Sequence, residues 1–165
     1  MMMVAMLAVS FAMQAQTKFH DVELNEAKGA VKCIKTNQMG RDIVINFSED
    51  GKMSQEGMSD AKYDENGYIQ SAKMSVQGQE AEVKFTWEDG KMVKQTVSAM
   101  GQDIATSFVY DENGLVKTVK MNMMGQDVEI PVTDYKFDDK GNWISRKMSM
   151  MGQEMEEART ITYFE

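Results

Sequence analysis

Apolar and polar residues alternate along much of the chain with a period of two, the signature of a strand with one dry and one wet face. Ala81, Val83, Phe85 and Trp87 share one side of such a segment, against Glu82, Lys84, Thr86 and Glu88 on the other. Ile104, Thr106, Phe108 and Tyr110 repeat the arrangement, as do Ile43, Ile45 and Phe47, and then Ile161 and Tyr163. A helix would need apolar spacing of three and four residues to build its stripe. The segments are therefore read as strands.

Glycine punctuates them. The twelve glycines form two interleaved series, Gly29, Gly51, Gly67, Gly90, Gly114 and Gly141, and Gly40, Gly57, Gly78, Gly101, Gly125 and Gly152. The first series mostly follows acidic or amide residues, as in Asp64-Glu65-Asn66-Gly67 and Asp111-Glu112-Asn113-Gly114, which suits turns whose side chains bond the local backbone. The second is usually followed by Gln and an acid, as in Gly101-Gln102-Asp103. From a first-series glycine to its partner the offset is 11 residues in five cases and 6 in one, so the chain is an internal repeat. Counting from those glycines, the seventh residue is Thr36, Met74, Val97, Met121 or Met148, while the sixth is Lys35, Lys73, Thr96, Lys120 or Lys147. One face is apolar and the other is wet.

The expected fold is all-β: a single domain over residues 16–165, built as an antiparallel up-and-down meander of about twelve or thirteen strands. Its apolar face must be covered, so the sheet curls into a rolled sheet or a barrel-like shell. A closed shell of twelve strands spaced about 4.8 Å apart would be roughly 24 Å across and would keep a lumen. Twelve glycine turns imply an odd strand count, however, which sets the first and last strands parallel and works against closure. Pro131, the single proline, falls in a strand-like run and suggests an edge or a bulge there.

Three segments carry a family resemblance: Tyr63-Asp64-Glu65-Asn66-Gly67-Tyr68-Ile69, Tyr110-Asp111-Glu112-Asn113-Gly114-Leu115-Val116, and Phe137-Asp138-Asp139-Lys140-Gly141-Asn142-Trp143. They resemble the tyrosine-aspartate (YD) repeats of rearrangement-hotspot proteins and the small secreted β-rich proteins common in Bacteroidota. The closing Arg159-Thr160-Ile161-Thr162-Tyr163 is similar to the end of such arrays, and the likeness runs from about residue 41 to 165. The resemblance implies a curled β-sheet that encloses or displays something, without transferable catalytic residues.

Residues 1–15, Met1 to Ala15, are uncharged and apolar, end in small residues and precede the polar Gln16-Thr17-Lys18. This is the pattern of a secretory signal peptide, although its basic leading segment is missing. Cleavage after Ala15 is preferred, with Ala12 as the alternative, and the protein is expected to be exported, periplasmic or secreted. The lone Cys33 fits an oxidising compartment. The formal charge of -8 argues against nucleic acid and anionic lipid as partners. With one Cys and one His, a zinc cluster or a redundant triad cannot be assembled, and the protein is read as non-enzymatic with no cofactor.

Methionine is the compositional oddity, at 18 residues, five of them before Ala15. Met121, Met123, Met148 and Met150 form clusters whose thioethers suit Cu(I); the competing and favoured reading is that methionine fills a core or lines an apolar cavity. Asp64, Asp111 and Asp138 recur beside turn carbonyls as a candidate Ca²⁺ edge, but their loops are short of the six or more oxygens that ion takes. The lysine row reads as a face that resists sheet aggregation, and His20 beside Asp21 has no nucleophile nearby. The strands are short for an outer-membrane barrel. Two functions remain. One is a binding or structural module displaying its surface to a protein or glycan, which is favoured. The other is a carrier holding an apolar small molecule or lipid, with Met74, Phe85, Trp87, Phe108, Tyr110, Met121 and Met148 as candidate lining. A module should be packed solid; a carrier should retain a lumen.

Overall fold

The computed structural model describes residues 18–38, 40–76, 78–123 and 125–165, so the expected signal segment lies outside the described residues. Twelve strands follow one another: β1 (Val31–Gln38), β2 (Arg41–Phe47), β3 (Met53–Gln55), β4 (Met58–Tyr63), β5 (Ile69–Val76), β6 (Gln79–Glu88), β7 (Lys91–Ala99), β8 (Gln102–Tyr110), β9 (Val116–Met123), β10 (Gln126–Phe137), β11 (Trp143–Met150) and β12 (Gln153–Tyr163). They form one antiparallel sheet in the order β3-β2-β1-β12-β11-β10-β9-β8-β7-β6-β5-β4. The first strand pairs with the last, Ile34 opposite Ile161 and Thr36 opposite Arg159. Among the described residues, the unpaired neighbours are β3 and β4, which are joined by the turn at Glu56-Gly57. The Ser75 N–H donates to the Gly57 carbonyl at 2.7 Å and pins that turn to β5. The all-β meander is thus a shell closed everywhere but at one seam.

The expectation of an odd count fails at Gly29. That glycine leads into β1 instead of joining two strands, with the Val31 N–H donating to its carbonyl at 2.8 Å. Twelve strands is an even number, so β1 and β12 run antiparallel and can pair.

The repeat has a local cause. In three turns an aspartate Oδ1 accepts two backbone N–H groups of its own loop, those of Asn66 and Tyr68 at Asp64, Asn113 and Leu115 at Asp111, and Lys140 and Asn142 at Asp138, all at 2.9–3.0 Å. These bonds hold the carboxyls of Asp111 and Asp138 below the usual range, at Asp111 through the Leu115 amide first; at Asp138 burial pushes up but the Tyr163 hydroxyl and the loop amides outweigh it. Aromatic side chains ahead of the turns that follow β6, β8 and β10 also tie each of those strands to the one before it. The Trp87 indole N–H donates to the Ile69 carbonyl at 2.8 Å, the Tyr110 hydroxyl to Met92 at 2.6 Å and the Tyr135 hydroxyl to Val116 at 2.7 Å.

Of several register slips, two are bulges built on an aspartate at positive φ. Asp60 in β4 and Asp134 in β10 have φ of 50° and 54°, and the register slips there. In β10 the inward positions change from Val128, Ile130 and Val132 to Tyr135. Each bulged aspartate pairs with a lysine of the next strand, Asp60 with Lys73 at 2.8 Å and Asp134 with Lys147 at 3.0 Å. Pro131 is neither at an edge nor in the bulge; it faces solvent where β10 passes from its ladder with β9 to its ladder with β11, so its missing N–H interrupts neither.

Glycine is indispensable at Gly67, where φ is +86° and a Cβ would lie 2.0 Å from the Lys18 carbonyl oxygen. At Gly101, with φ +74°, nothing lies within 4 Å of the same atom. Gly67→Ala should therefore lower the urea midpoint well beyond Gly101→Ala, whose cost is the left-handed backbone alone, about 1–2 kcal/mol. Equal losses would show that residues 18–20 do not cross the Gly67 turn.

Candidate functional site

Residues 18–30 lie across one end of the shell as a floor. The Phe19 N–H donates to the Asp50 carbonyl at 3.0 Å and the His20 N–H to Gly67 at 3.1 Å. At the far side Asn142 clasps Lys28, accepting its N–H and donating to its carbonyl, both at 2.9 Å. A single helical turn, α1 (Asp21–Leu24), sits in this segment. Val22 and Ala27 are buried with Val31, Ile34 and Phe47, which fixes the floor to β1 and β2.

Asp21 anchors it. The side chain is fully buried, and its Oδ2 accepts the Met53 N–H at 2.8 Å and the Tyr63 hydroxyl at 2.6 Å, while Oδ1 has no partner among the described residues. Burial raises the Asp21 carboxyl; burial and then the adjacent carboxylate push the Tyr63 phenol far above its ordinary value. His20 turns away from Asp21, stacking on Tyr68 with ring centroids 3.9 Å apart, so the two do not form an acid-base pair.

Above the floor the shell surrounds a half-open cavity of ≈ 390 Å³. Every strand but β9 and β10 contributes to its lining. Ile34, Ile43, Ile45, Met53, Met58 and Met74 line one side, Val83, Phe85, Met92 and Phe108 another, with the amides of Gln55 and Gln95 among them. A second depression of ≈ 390 Å³ lies over Lys35, Asn37, Asp42 and Thr160, which are exposed and polar. Of these two, the first has the more apolar wall.

At the base of the cavity sits a buried charge cluster. Arg146 donates from Nη1 to Glu26 at 2.7 Å and from Nε to Glu157 at 2.6 Å. Arg159 donates to three carbonyl oxygens, those of Trp143 at 2.8 Å, Asn25 at 2.6 Å and Glu26 at 2.8 Å. Both guanidiniums stack on Trp143, at 4.1 and 3.6 Å from the ring centroid. Burial alone would pull Arg146 down, but Glu26 and Glu157 outweigh it and hold its charge firmly. Arg159 has no carboxylate of its own; burial, with repulsion from Arg146, lowers it to about 10. These residues were not singled out in the sequence. The signal was there: Arg146 has the parity of Met148 and Met150 in β11, and Glu157 and Arg159 that of Ile161 and Tyr163 in β12, so three charges stand at apolar positions of paired strands.

The expected lining residues divide. Met74, Phe85 and Phe108 line the cavity. Tyr110 instead lines a cleft of ≈ 260 Å³ between the floor and the turns beneath it, and Trp87 packs on Tyr68 with centroids 4.9 Å apart. Met121, Met148 and Met150 come together against Val116, Val119, Ile130 and Val132, where they fill the solid side of the interior. The side chain of Met123 lies outside the described residues. The lysine row forms cross-strand ion pairs, Lys73 with Asp60 and Lys120 with Glu129 at 2.6 Å. Among the described residues, no three His, Cys, Asp or Glu side chains are grouped as a metal site, and Cys33 is buried and free. No protein-family model matches the chain, and no curated protein matches it significantly.

Two predictions follow from the buried charges. Arg146→Met strands two carboxylates and should cost about 3–5 kcal/mol in urea denaturation. Adding Glu26→Gln and Glu157→Gln should recover most of that loss. The Asp21 carboxyl titrates higher in the folded than in the unfolded chain, so from about pH 4 upward the folded state keeps a proton the unfolded state has shed. Its contribution to stability therefore falls as pH rises through that window. Asp21→Asn lacks this fall, and its stability relative to the parent should increase between pH 4 and pH 7; a constant difference would contradict the assignment.

Proposed function

We propose that the protein is a non-catalytic carrier whose β-shell holds an apolar small molecule in the cavity above the floor. The observation that carries the reading is the ≈ 390 Å³ space inside a sheet whose inward residues are Ile, Met, Val and Phe. A volume of this order is that of small-ligand pockets, and an apolar wall with a few convergent polar groups is their usual lining. A module that only displays its surface has no use for such a space, and this tips the balance from surface display to carriage. Among the described residues no helix is long and apolar enough to cross a membrane. We read the chain as exported on the strength of Met1 to Ala15, and as kin to the YD-repeat proteins on the strength of the three Asp-capped turns.

The test is uptake of a neutral apolar dye such as N-phenyl-1-naphthylamine, together with native mass spectrometry of the freshly purified chain. Binding should saturate at one dye per chain, and Ala72→Phe, which adds bulk to the cavity wall, should weaken it at least tenfold without changing the circular dichroism. Absence of both dye uptake and any co-purified mass would refute the carrier.

A further inference from the structure

We infer that the ligand is an uncharged amphiphile, with a hydrogen-bonding but neutral head at the base of the cavity and an apolar tail along its wall. The inference rests on the carrier reading and deepens it. Four charged side chains line the cavity, Glu26, Arg146, Glu157 and Arg159, and their formal charges cancel. Both carboxylates are already bonded to one guanidinium, at 2.7 and 2.6 Å, and the other guanidinium is held by three backbone carbonyls. A charge brought into a low-dielectric site must find a counter-charge there or bear its desolvation alone.

An incoming carboxylate meets a cluster whose charges already cancel and whose two glutamates repel it. Among the arginine donors, Arg146 Nη2 has no acceptor among the described residues, and its guanidinium already faces two glutamates; the Trp143 indole N–H is a second donor without a partner there. An incoming ammonium is opposed by two arginines, with both carboxylates occupied. A neutral head meets neither obstacle. Its acceptor takes the Nη2 hydrogen, and the side-chain amides of Gln55 and Gln95, which bond nothing among the described residues, offer both a donor and an acceptor. The walls that remain are apolar and carry Met53, Met58 and Met74, whose slender side chains adapt to a flexible tail.

The experiment changes the charge of the cavity and follows three probes of one chain length, dodecanol, dodecanoate and dodecylammonium, in displacing the neutral dye at pH 7.4. An alcohol leaves water more readily than its carboxylate does, so the deciding comparison is between proteins. Glu157→Gln leaves the cavity with one net positive charge. It should tighten dodecanoate at least tenfold, or about 1.4 kcal/mol, while dodecanol changes by less than about threefold. Glu26→Gln serves as a second variant with the same expectation, and circular dichroism checks the fold of both. In the parent, dodecanol should displace dye at a concentration at least tenfold below either ion. Dodecanoate binding the parent as tightly as dodecanol, or indifferent to both substitutions, would overturn the neutral-ligand inference and leave the carrier intact. Failure of the dye to bind the parent at all would remove the carrier reading, and this inference with it.

Discussion

The pairing of β1 with β12 is the contact on which the rest depends. Up-and-down hairpins form between chain neighbours, but they leave one apolar face with nothing to cover it. Only when Ile34 meets Ile161 and Thr36 meets Arg159 does that face turn inward on itself. The contact spans more than 120 residues of sequence, so its loop-closure cost falls on a few backbone hydrogen bonds and on the packing of Ile34, Phe47, Ile161 and Tyr163. It also removes two of the sheet's exposed edges, the usual route to aggregation of a long β-meander. The remaining seam is short: β3 has three residues, and its turn is held against β5.

Closure of the ring leaves its ends, and the floor answers for one of them. An irregular segment buried inside a sheet would strand its backbone groups, so each must find a partner there. Arg159 takes the carbonyls of Asn25 and Glu26, Asn142 takes both polar groups of Lys28, and Asp21 reaches out to β3 and β4. The charges inside the shell are thus the means by which a non-repetitive segment is fitted to a repetitive wall. The fit is imperfect: Asp21 Oδ1 and the Trp143 indole N–H lack partners among the described residues, each a cost of about 1–3 kcal/mol.

The wall was legible in the sequence because its determinants are local. Alternation gave the faces of β6 and β8, and an aspartate three residues before a glycine gave the capped turns, since both effects act within a few residues. What escaped is what depends on distant parts of the chain. Gly29 has the same spacing to Gly40 as its counterparts to theirs, and only the structure around Val31 reveals that no strand among the described residues precedes it. The bulges at Asp60 and Asp134 sit in similar strings, Ser-Asp-Ala-Lys-Tyr and Thr-Asp-Tyr-Lys-Phe, and that likeness was the available sign of a shared irregularity. The candidate site was half legible. Met74, Phe85 and Phe108 follow from alternation, whereas Glu26 enters from a segment without periodicity, and nothing local points it at Arg146.

The interior is unevenly filled, and that asymmetry bears on what the fold is for. Along β9 and β10 the residues Val116, Val119, Ile130 and Val132 are buried, and Met121, Met148 and Met150 close the gaps between them. Around the cavity stand Ala72, Gln95 and a series of methionines among Ile34, Ile43, Ile45 and Val83, with open space between them. A void forfeits dispersion contacts that branched residues at those positions would supply, as they do opposite. Stability alone favours a shell packed from both sides with Val and Ile. The sequence that folds this ring therefore uses one side of the interior to hold it together, and keeps the other hollow at the expense of stability.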